Sequence, residues 1–313
     1  MNRREHLKWL AASLSGALLT TAENAWSAQL DWNLAIGLNG FASSSSKYSK
    51  TFPIEEILEF ASNQGFEGVE LVQGWPSGNY PRSDETDKID SLKNLYDRYG
   101  LQIFSIQTGS GGAFDPDSEV RKKWLEEFAD QARLAKILGC DCIGTWPGGG
   151  LRGQSFDQAI EHLIESFRSV GDIAESLDLI AAFEIEPPFV FNTEEHLKRI
   201  LEGVNHPHFK TIYDPSHFDL MNGSKGKPHE MLQRVGVENI GYVHFTDTDG
   251  TLRDGETSKH LPCGDGHIDV EASLKTLAMG GFNGWIMMDE WQVPDPYEAC
   301  RKGYGCIRDF LAD

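Results

Sequence analysis

The 313-residue sequence predicts an α/β protein built as a single (β/α)8 TIM barrel. Eight short β-rich runs alternate with eight longer amphipathic stretches, which is the pattern of parallel strands joined by crossover helices. The chain has no proline-rich linker and no break in composition, so one domain is the simplest interpretation. No G-x-G-x-x-G follows the first run, which argues against a dinucleotide-binding open sheet.

Each predicted strand is an apolar run of strand-forming residues, and the following helix shows the 3.6-residue period. The predicted strands are Leu34–Leu38, Phe66–Val72, Leu101–Thr108, Asp141–Trp146, Leu179–Glu186, Phe209–Asp214, Ile240–Asp247 and Trp285–Trp291. The predicted helices are Ile54–Gln64, Thr86–Tyr99, Ser118–Leu138, Gln154–Leu177, Thr193–Val204, His229–Val235, Val270–Met279 and Pro296–Leu311. Glycines at 65, 100 and 139 fit helix ends, and Thr193 fits a helix start. The longest non-periodic piece, Thr248 to Ile268, follows strand 7.

The charge balance excludes several kinds of partner. The chain has 28 Lys and Arg against 48 Asp and Glu, a formal net charge of −20. Such a surface repels nucleic acid and anionic membranes, so we expect neither as a partner. After the first 30 positions the sequence contains no 18-residue apolar run, so we expect no membrane span. A small neutral polar molecule or a cation fits better, and the question of a homo-oligomer stays open.

The first 28 residues have the pattern of an export signal. A charged tip containing Arg3 and Arg4 precedes a short apolar stretch, and small residues follow up to Ala28. The paired arginines resemble a twin-arginine signal, which carries folded proteins across the membrane. We therefore predict an exported, periplasmic protein with a signal peptide at residues 1–28. Without these 28 residues the 313-residue chain has 285, near the usual size of one barrel.

Four ligand-type side chains follow directly on the last four predicted strands. Glu184, Asp214 and His244 are spaced 30 residues apart, and Asp289 follows 45 residues later. These intervals correspond to single βα units, the last one enlarged by the long loop. Catalytic groups of such barrels lie at the carboxyl ends of the strands, so the four side chains are expected to converge at one mouth.

Three carboxylates and one imidazole are suited to one divalent ion, Mn²⁺, Mg²⁺, Co²⁺ or Zn²⁺. Carboxylates buried at this density would repel one another without a cation. The competing interpretation is structural: each acid caps the next helix or pairs with an arginine. No cysteine is placed to join the set, which argues against a structural zinc site.

Five segments carry a resemblance to a known family. They are Phe183-Glu184, Asp214-Pro215-Ser216-His217, His244-Phe245-Thr246-Asp247, Gly284-Trp285-Ile286-Met287-Met288-Asp289 and the glycine-containing loop from Leu261 to Asp269. They resemble the xylose isomerase-like barrels, a superfamily of sugar phosphate isomerases and epimerases that includes ketose 3-epimerases and inosose dehydratases. The resemblance covers nearly all of residues 30–313. The Asp-x-x-His pair and the glycine loop are its sharper signals.

The resemblance implies a metal held by Glu184, Asp214, His244 and Asp289. Asp289 stands where the family usually has Glu, and Glu290 next to it is the substitute ligand if Asp289 points away. Strand geometry allows only one of the two to face inward. The resemblance also implies that His217 contacts substrate oxygen or supports the site.

Four further residues are candidates for contacts with substrate. Glu186 shares its strand face with Glu184, and His260 lies in the long loop after strand 7. Trp146 and Trp291 stand near strand ends, where an indole ring can stack on the C–H face of a sugar. Each also has an ordinary interpretation as a packing or surface residue.

These features predict a metal-dependent isomerase or epimerase of a small sugar or polyol derivative. Glu184 and Asp289 would remove and return the proton next to a carbonyl through an enediolate. Loss of a hydroxyl from the same enediolate would make the protein a dehydratase. A phosphodiesterase of the apurinic endonuclease type needs histidines where this chain has Glu70 and Gln107. A non-catalytic sugar binder is the remaining alternative.

Overall fold

The computed structural model describes residues 30–76, 78–109, 111–253 and 257–312. The predicted export signal lies outside the described residues. Eight strands, β1 to β8, span Asn33–Gly37, Gly68–Leu71, Gln102–Ile106, Cys142–Thr145, Ile180–Phe183, Phe209–Tyr213, Ile240–Phe245 and Trp285–Met288. Ten helices, α1 to α10, are described: Leu38–Tyr48, Ile54–Gln64, Thr86–Asp97, Ser118–Leu138, Phe156–Ser176, Glu194–Val204, Pro215–Met221, Pro228–Val235, Val270–Met279 and Pro296–Ala312. None of these helices is both long and apolar enough to cross a bilayer.

The strands form one parallel sheet in the order β3-β2-β1-β8-β7-β6-β5-β4. Isolated backbone contacts join its two edges, since Asp141 donates to the carbonyl of Phe104 at 3.0 Å and Thr108 donates to that of Gly144 at 3.0 Å. The bridge between Gln107 and Gly144 is also parallel. The predicted TIM barrel is confirmed. Its strands β3 and β4 are joined by isolated backbone contacts and not by a continuous ladder of hydrogen bonds.

An apolar layer of side chains fills the lower part of the barrel. It consists of Ala35, Phe104, Cys142, Ala182, Ile212, Tyr242, Trp285 and Met287, which form a buried cluster separate from the main core. Phe104 stacks on Trp285 with ring centroids 4.7 Å apart. Side chains on a strand alternate between the two faces of the sheet, so the residues two positions further along also point inward.

The second hydrophobic layer lies between the strands and the surrounding helices. Amphipathic helices such as α5 bury one face, with Ile160, Leu163 and Phe167 fully buried. Ser155 begins this helix with a capping box that also involves Gln158. The predicted cap at Thr193 is also present, because its side chain accepts from the backbone N–H of His196 at 3.2 Å. Gly65 and Gly139 end their helices in the left-handed conformation, as predicted, whereas the helix predicted to end at Gly100 ends at Asp97.

The structure differs from the prediction in two helices and in strand length. Helix α1 contains the Ser43–Ser46 run that the sequence pattern gave no reason to assign, and it buries Ser43 and Ser44 against the barrel. Helix α7 follows Asp214 directly, with Pro215 in its first turn. Several strands end one to three residues earlier than predicted, because the polar residues that follow them turn into the loops at the barrel mouth.

A single buried carboxylate fixes the long loop between β7 and α9. One oxygen of Asp247 accepts from the backbone N–H groups of Thr248 and Ile268, at 2.7 and 3.1 Å. The other oxygen accepts from Gly264 and Gly266, at 3.0 and 2.9 Å. The loop is therefore tied at both ends to the strand that carries His244.

Replacing Asp247 with alanine should leave four backbone donors without their acceptor. We expect the free energy of unfolding to fall by about 2–4 kcal/mol. The control is Asp265→Ala in the same loop, which removes an exposed ion pair with Lys302 and should cost less than about 1 kcal/mol. Urea denaturation measures both variants, and equal losses would contradict this role for Asp247.

Candidate functional site

The barrel positions the four predicted ligand residues directly above the apolar layer. Each lies two residues after an inward-facing apolar residue: Glu184 after Ala182, Asp214 after Ile212, His244 after Tyr242 and Asp289 after Met287. The same two-residue step places Glu70 above Gly68. Side-chain alternation, and not the polarity of any one strand end, therefore directs these groups to a common point.

Three of the four residues bring donor atoms close together. One donor atom from each of Glu184, Asp214 and His244 lies within 4.8 Å of the others. His244 Nδ1 is 2.7 Å from Glu184 Oε1 and 3.9 Å from Asp289 Oδ2. Its other nitrogen, Nε2, is 3.1 Å from Glu70 Oε2. The imidazole thus stands between carboxylates from strands on both sides of it.

Two further histidines face the same carboxylates. His217 Nε2 is 3.6 Å from Asp214 Oδ2 and 3.9 Å from Glu184 Oε1. His260 Nε2 is 3.9 Å from Asp214 Oδ2. Asp214, His217 and His260 form a second set of donors within 4.8 Å of one another. These two donor sets share Asp214, and a third set, formed by Glu184, Glu186 and His217, overlaps both of them.

Neighbouring groups hold these side chains in place. Asp214 Oδ1 accepts from the backbone N–H of Ser216 at 2.7 Å and that of His217 at 3.2 Å, so it caps helix α7 and leaves Oδ2 to face the site. Ser258 in the long loop contacts His217 Nδ1 at 2.8 Å. Trp146 Nε1 donates to Glu184 Oε2 at 2.8 Å. Asp214 Oδ1 thus serves as the helix cap, and Oδ2 remains available for the predicted ligand role.

Burial and neighbouring charge push the pKa values of the site residues apart. Burial raises the pKa of Glu184, but the His244 imidazole outweighs it and lowers that pKa to about 2. Burial raises the pKa of Asp289 to about 8 and that of Glu186 to about 7. Burial lowers the pKa of His260 to about 4. Without a cation, the site combines ionised and protonated carboxyl groups at neutral pH.

The donor set fits a divalent cation. Several buried polar atoms have no hydrogen-bond partner among the described residues, and three of them are Asp214 Oδ2, Asp289 Oδ1 and His260 Nε2. Buried polar groups without partners are costly in a folded protein. Carboxylate oxygens with imidazole nitrogens are ligands that Mn²⁺, Co²⁺ and Zn²⁺ accept. The assignment of individual ligands remains a prediction.

A cavity of about 500 Å³ opens above these donors. Besides Glu184 and Asp289, its lining contains all five residues predicted to contact substrate: His217, Glu186, His260, Trp146 and Trp291. Glu186 Oε2 accepts from Thr257 Oγ1 at 2.9 Å. The volume is within the range of sites for small molecules, and the polar floor with aromatic walls suits a sugar-sized ligand.

Asp289 and Glu290 occupy different environments. Asp289 lines the cavity, and Glu290 is not among the described lining residues. Both carboxylate oxygens of Glu290 are buried and lack hydrogen-bond partners within the described chain. Burial and the nearby Asp289 hold the pKa of Glu290 well above its usual range, which favours the neutral acid. The geometry favours Asp289 as the residue that faces the donors.

Sequence reasoning did not assign several residues of the site. Asn39, Lys47 and Arg253 line the cavity, but none of them directly follows one of the last four strands. Glu70, the next-to-last residue of β2, is inward-facing by the same two-residue step from Gly68. The contact between Ser258 and His217 joins residues 41 apart in the chain, and no local pattern signals it.

Trp146→Phe tests whether the indole positions Glu184. The variant keeps an aromatic ring in the wall but removes the donor to Glu184 Oε2. Groups that orient metal ligands typically contribute ten- to a hundredfold to affinity, so we expect Mn²⁺ binding to weaken by about tenfold or more.

Trp291→Phe is the matched control, because Trp291 contacts the site through its backbone N–H, 3.3 Å from His260 Nδ1. Isothermal titration with Mn²⁺ measures both variants. Equal affinities in the two variants would show that the indole of Trp146 does not position the carboxylate.

Comparison with known proteins agrees with this fold. A family model described as the xylose isomerase-like TIM barrel matches residues 58–310. An inosose dehydratase from Bacillus licheniformis is 25% identical over 266 residues, 77% of this chain and 82% of that enzyme. An L-ribulose-5-phosphate 3-epimerase from Shigella boydii is 21% identical over 275 residues, 85% of this chain and 94% of that enzyme.

Among solved structures, the IolI protein with a bound zinc atom superposes with a TM-score of 0.68. The two sequences are 19% identical, and the match covers 90% of this chain and 98% of the other. This likeness shows the fold, and the family model covers far more than half of the sequence. The chain therefore belongs to the xylose isomerase-like TIM barrel family.

Proposed function

We propose that the protein is a metal-dependent isomerase or epimerase of a small sugar or polyol derivative. The supporting observation is that Glu184 and Asp289 line one cavity, and that donor atoms of Glu184, Asp214 and His244 lie within 4.8 Å of one another. The similar proteins include an epimerase and a dehydratase of polyhydroxylated substrates by name. The reaction would move a proton at a carbon next to a carbonyl.

Glu184, Asp214, His244 and Asp289 would hold the cation. A bound divalent cation would act as a Lewis acid that acidifies the C–H bond next to a coordinated carbonyl. We propose one ion per chain, of the Mn²⁺, Mg²⁺, Co²⁺ or Zn²⁺ kind. The zinc named for the IolI structure supports this class of ion.

The two acidic residues would divide the proton transfer between them. Glu184 follows β5 and Asp289 follows β8, with two strands between them in the sheet, so they approach the cavity from different sides. One carboxylate would take the proton from carbon and the other would return it to the opposite face or to the neighbouring carbon. Return to the opposite face gives epimerisation, and return to the neighbouring carbon gives isomerisation.

Other cavity residues would orient the substrate and exclude water. The indole rings of Trp146 and Trp291 would cover the C–H faces of a sugar. Glu186, His217 and His260 would exchange hydrogen bonds with its hydroxyl groups. Because all five residues line the same cavity, a single sugar ring would contact both the aromatic walls and the polar floor.

Dehydration is the second candidate, and the position of Glu186 favours it. Glu186 lines the cavity beside Glu184, and burial raises its pKa to about 7, so much of it is protonated near neutral pH. A protonated carboxyl there would deliver a proton to a leaving hydroxyl group. The inosose dehydratase relative supports this alternative. A product that is lighter than the substrate by one water molecule, seen by mass spectrometry, distinguishes dehydration from isomerisation.

Glu184→Gln should abolish exchange of the substrate C–H with solvent. The amide cannot accept the proton from carbon, so deuterium incorporation from D₂O should fall by about a hundredfold or more. NMR of a panel of ketoses, aldoses and inososes measures the exchange. Bound metal is measured in parallel, so that loss of the ion is separated from loss of the base.

Glu290→Gln is the matched control for this experiment. The neighbouring acid is buried outside the cavity lining and held neutral, so an amide of the same shape should preserve exchange. Full exchange in Glu184→Gln would remove Glu184 as the base. Loss of exchange in Glu290→Gln would contradict the choice of Asp289 over Glu290.

Removal of divalent metal should abolish the same exchange reaction. A chelator would leave the buried carboxylates without their counter-charge and the carbonyl without its Lewis acid. Adding back Mn²⁺, Co²⁺, Mg²⁺ or Zn²⁺ one at a time should restore exchange with at least one ion. Undiminished exchange in protein shown by elemental analysis to be free of metal would contradict the proposal.

A further inference from the structure

Two serine hydroxyl groups join a carboxylate of the candidate site to one of its histidines. Ser216 Oγ lies 2.6 Å from Asp214 Oδ1 and 2.6 Å from Ser258 Oγ. Ser258 Oγ in turn lies 2.8 Å from His217 Nδ1. All four residues are buried, with no more than 2% of their surface exposed. We call Ser216 and Ser258 the serine pair.

The hydrogen of the first serine is directed to the carboxylate. A serine hydroxyl has only one hydrogen to donate. Asp214 Oδ1 accepts from the backbone N–H groups of Ser216 and His217, at 2.7 and 3.2 Å, so this oxygen acts as an acceptor. The contact of 2.6 Å between Ser216 Oγ and Asp214 Oδ1 is then a hydrogen bond only if the hydroxyl donates.

The same accounting fixes a hydrogen on the imidazole. Because Ser216 donates to Asp214, Ser216 Oγ must accept from the Ser258 hydroxyl. Ser258 has then used its only hydrogen, so its oxygen must accept from His217 Nδ1. A bare Nδ1 would place two lone pairs against each other at 2.8 Å. His217 therefore carries a hydrogen on Nδ1 whether its ring is neutral or charged.

The other ring nitrogen of His217 is left to the cavity. His217 is one of the residues that line the cavity. Its Nε2 lies 3.6 Å from Asp214 Oδ2 and 3.9 Å from Glu184 Oε1, and both distances are too long for a hydrogen bond. Since Nδ1 is engaged with Ser258, Nε2 is the nitrogen that can bond a ligand.

The loop segment that carries Ser258 is itself held in place. The backbone N–H of Lys259 donates to the carbonyl of Thr251 at 2.9 Å. The hydroxyl of Thr257 donates to Glu186 Oε2 at 2.9 Å. One short segment of the loop thus contacts both an imidazole and a carboxylate of the cavity. Groups fixed in this way need little reordering when a ligand binds.

We infer that Ser216 and Ser258 are positioning residues that keep a hydrogen on His217 Nδ1, so that only Nε2 exchanges hydrogen bonds or a proton with the substrate. The inference deepens the proposed function and rests on it for the nature of the ligand, a sugar or polyol derivative. Nε2 would bond one oxygen of that ligand. The serine pair thus selects the tautomer of the ring before the substrate arrives.

Ser216→Ala tests this assignment without removing a contact of the His217 ring. The variant removes the acceptor of the Ser258 hydrogen, so that hydrogen can turn to Nδ1 and the ring hydrogen can move to Nε2. Nitrogen NMR of isotope-labelled, Zn²⁺-loaded protein distinguishes the two tautomers of the neutral ring, and His217→Gln assigns the signal. We expect a protonated Nδ1 in the wild-type protein and a protonated Nε2 in Ser216→Ala.

Ser258→Ala should give the same change, because it removes the acceptor of the Nδ1 hydrogen. The matched control is Ser273→Ala, since Ser273 is a fully buried serine whose hydroxyl bonds to that of Tyr213 at 3.0 Å. The control should leave the His217 signal unchanged. A bare Nδ1 in the wild-type protein, or an Nε2 bound to zinc, would overturn the inference. An unchanged tautomer in the serine-pair variants would do the same, and either variant decides if the other does not fold.

The exchange assay in D₂O measures the consequence for the reaction. Both serine-pair variants should lower kcat for exchange about tenfold or more, and Ser273→Ala should stay within about twofold of wild type. Bound metal is measured in parallel, and Ser258→Ala keeps the bond between Ser216 and Asp214. A changed tautomer with wild-type exchange would overturn the role in the reaction. If the wild-type protein exchanges no substrate, the proposed function fails, while the NMR result still decides whether the serine pair sets the tautomer.

Discussion

The alternation of side chains along parallel strands is the constraint on which this site depends. Residues 182, 212, 242 and 287 pack into the apolar layer of the barrel, so the residues two positions later must also point inward, now above that layer. A one-residue slip in any of these strands would turn its polar residue toward the helices. The pairing of each strand with both neighbours therefore fixes the site as firmly as it fixes the core.

Electrostatics then decides what such a site can hold. Glu70, Glu184, Asp214 and Asp289 are all buried within the barrel mouth. The nearby imidazoles compensate part of this negative charge, and Asp214 and Asp289 still each present one oxygen that has no hydrogen-bond partner in the described part of the chain. A divalent cation would satisfy several of these groups at once, which no monovalent side chain can do at the same point. The buried carboxylates are thus the physical reason for proposing a metal ion at this position.

Much of the architecture followed from local sequence patterns. All eight strands and eight of the ten described helices were predicted, because apolar periodicity and helix caps are local signals. The convergence of Glu184, Asp214 and His244 followed from the spacing of βα units. Helix α1 was missed because its serines carry no amphipathic period, although Ser43 and Ser44 are buried against the barrel.

The contacts that tune the site could not be predicted in the same way. Trp146 bonds to Glu184 across 38 positions, and Glu70 meets His244 across 174. Such pairs depend on the closure of the barrel, which brings together strands that are distant in sequence. Local patterns could assign these residues to strand ends but could not specify their partners.

The four hydrogen bonds to Asp247 have a consequence for how relatives of this protein could diverge. The carboxylate binds the loop at Thr248 and again at Gly264, Gly266 and Ile268, while an antiparallel bridge joins Leu252 to Ser258 in the part between. Evolution could exchange the part of the loop between these anchor points, altering what enters the barrel while the anchors and the acidic residues and histidines beneath them stay unchanged. New substrate preferences would then arise at little risk to folding.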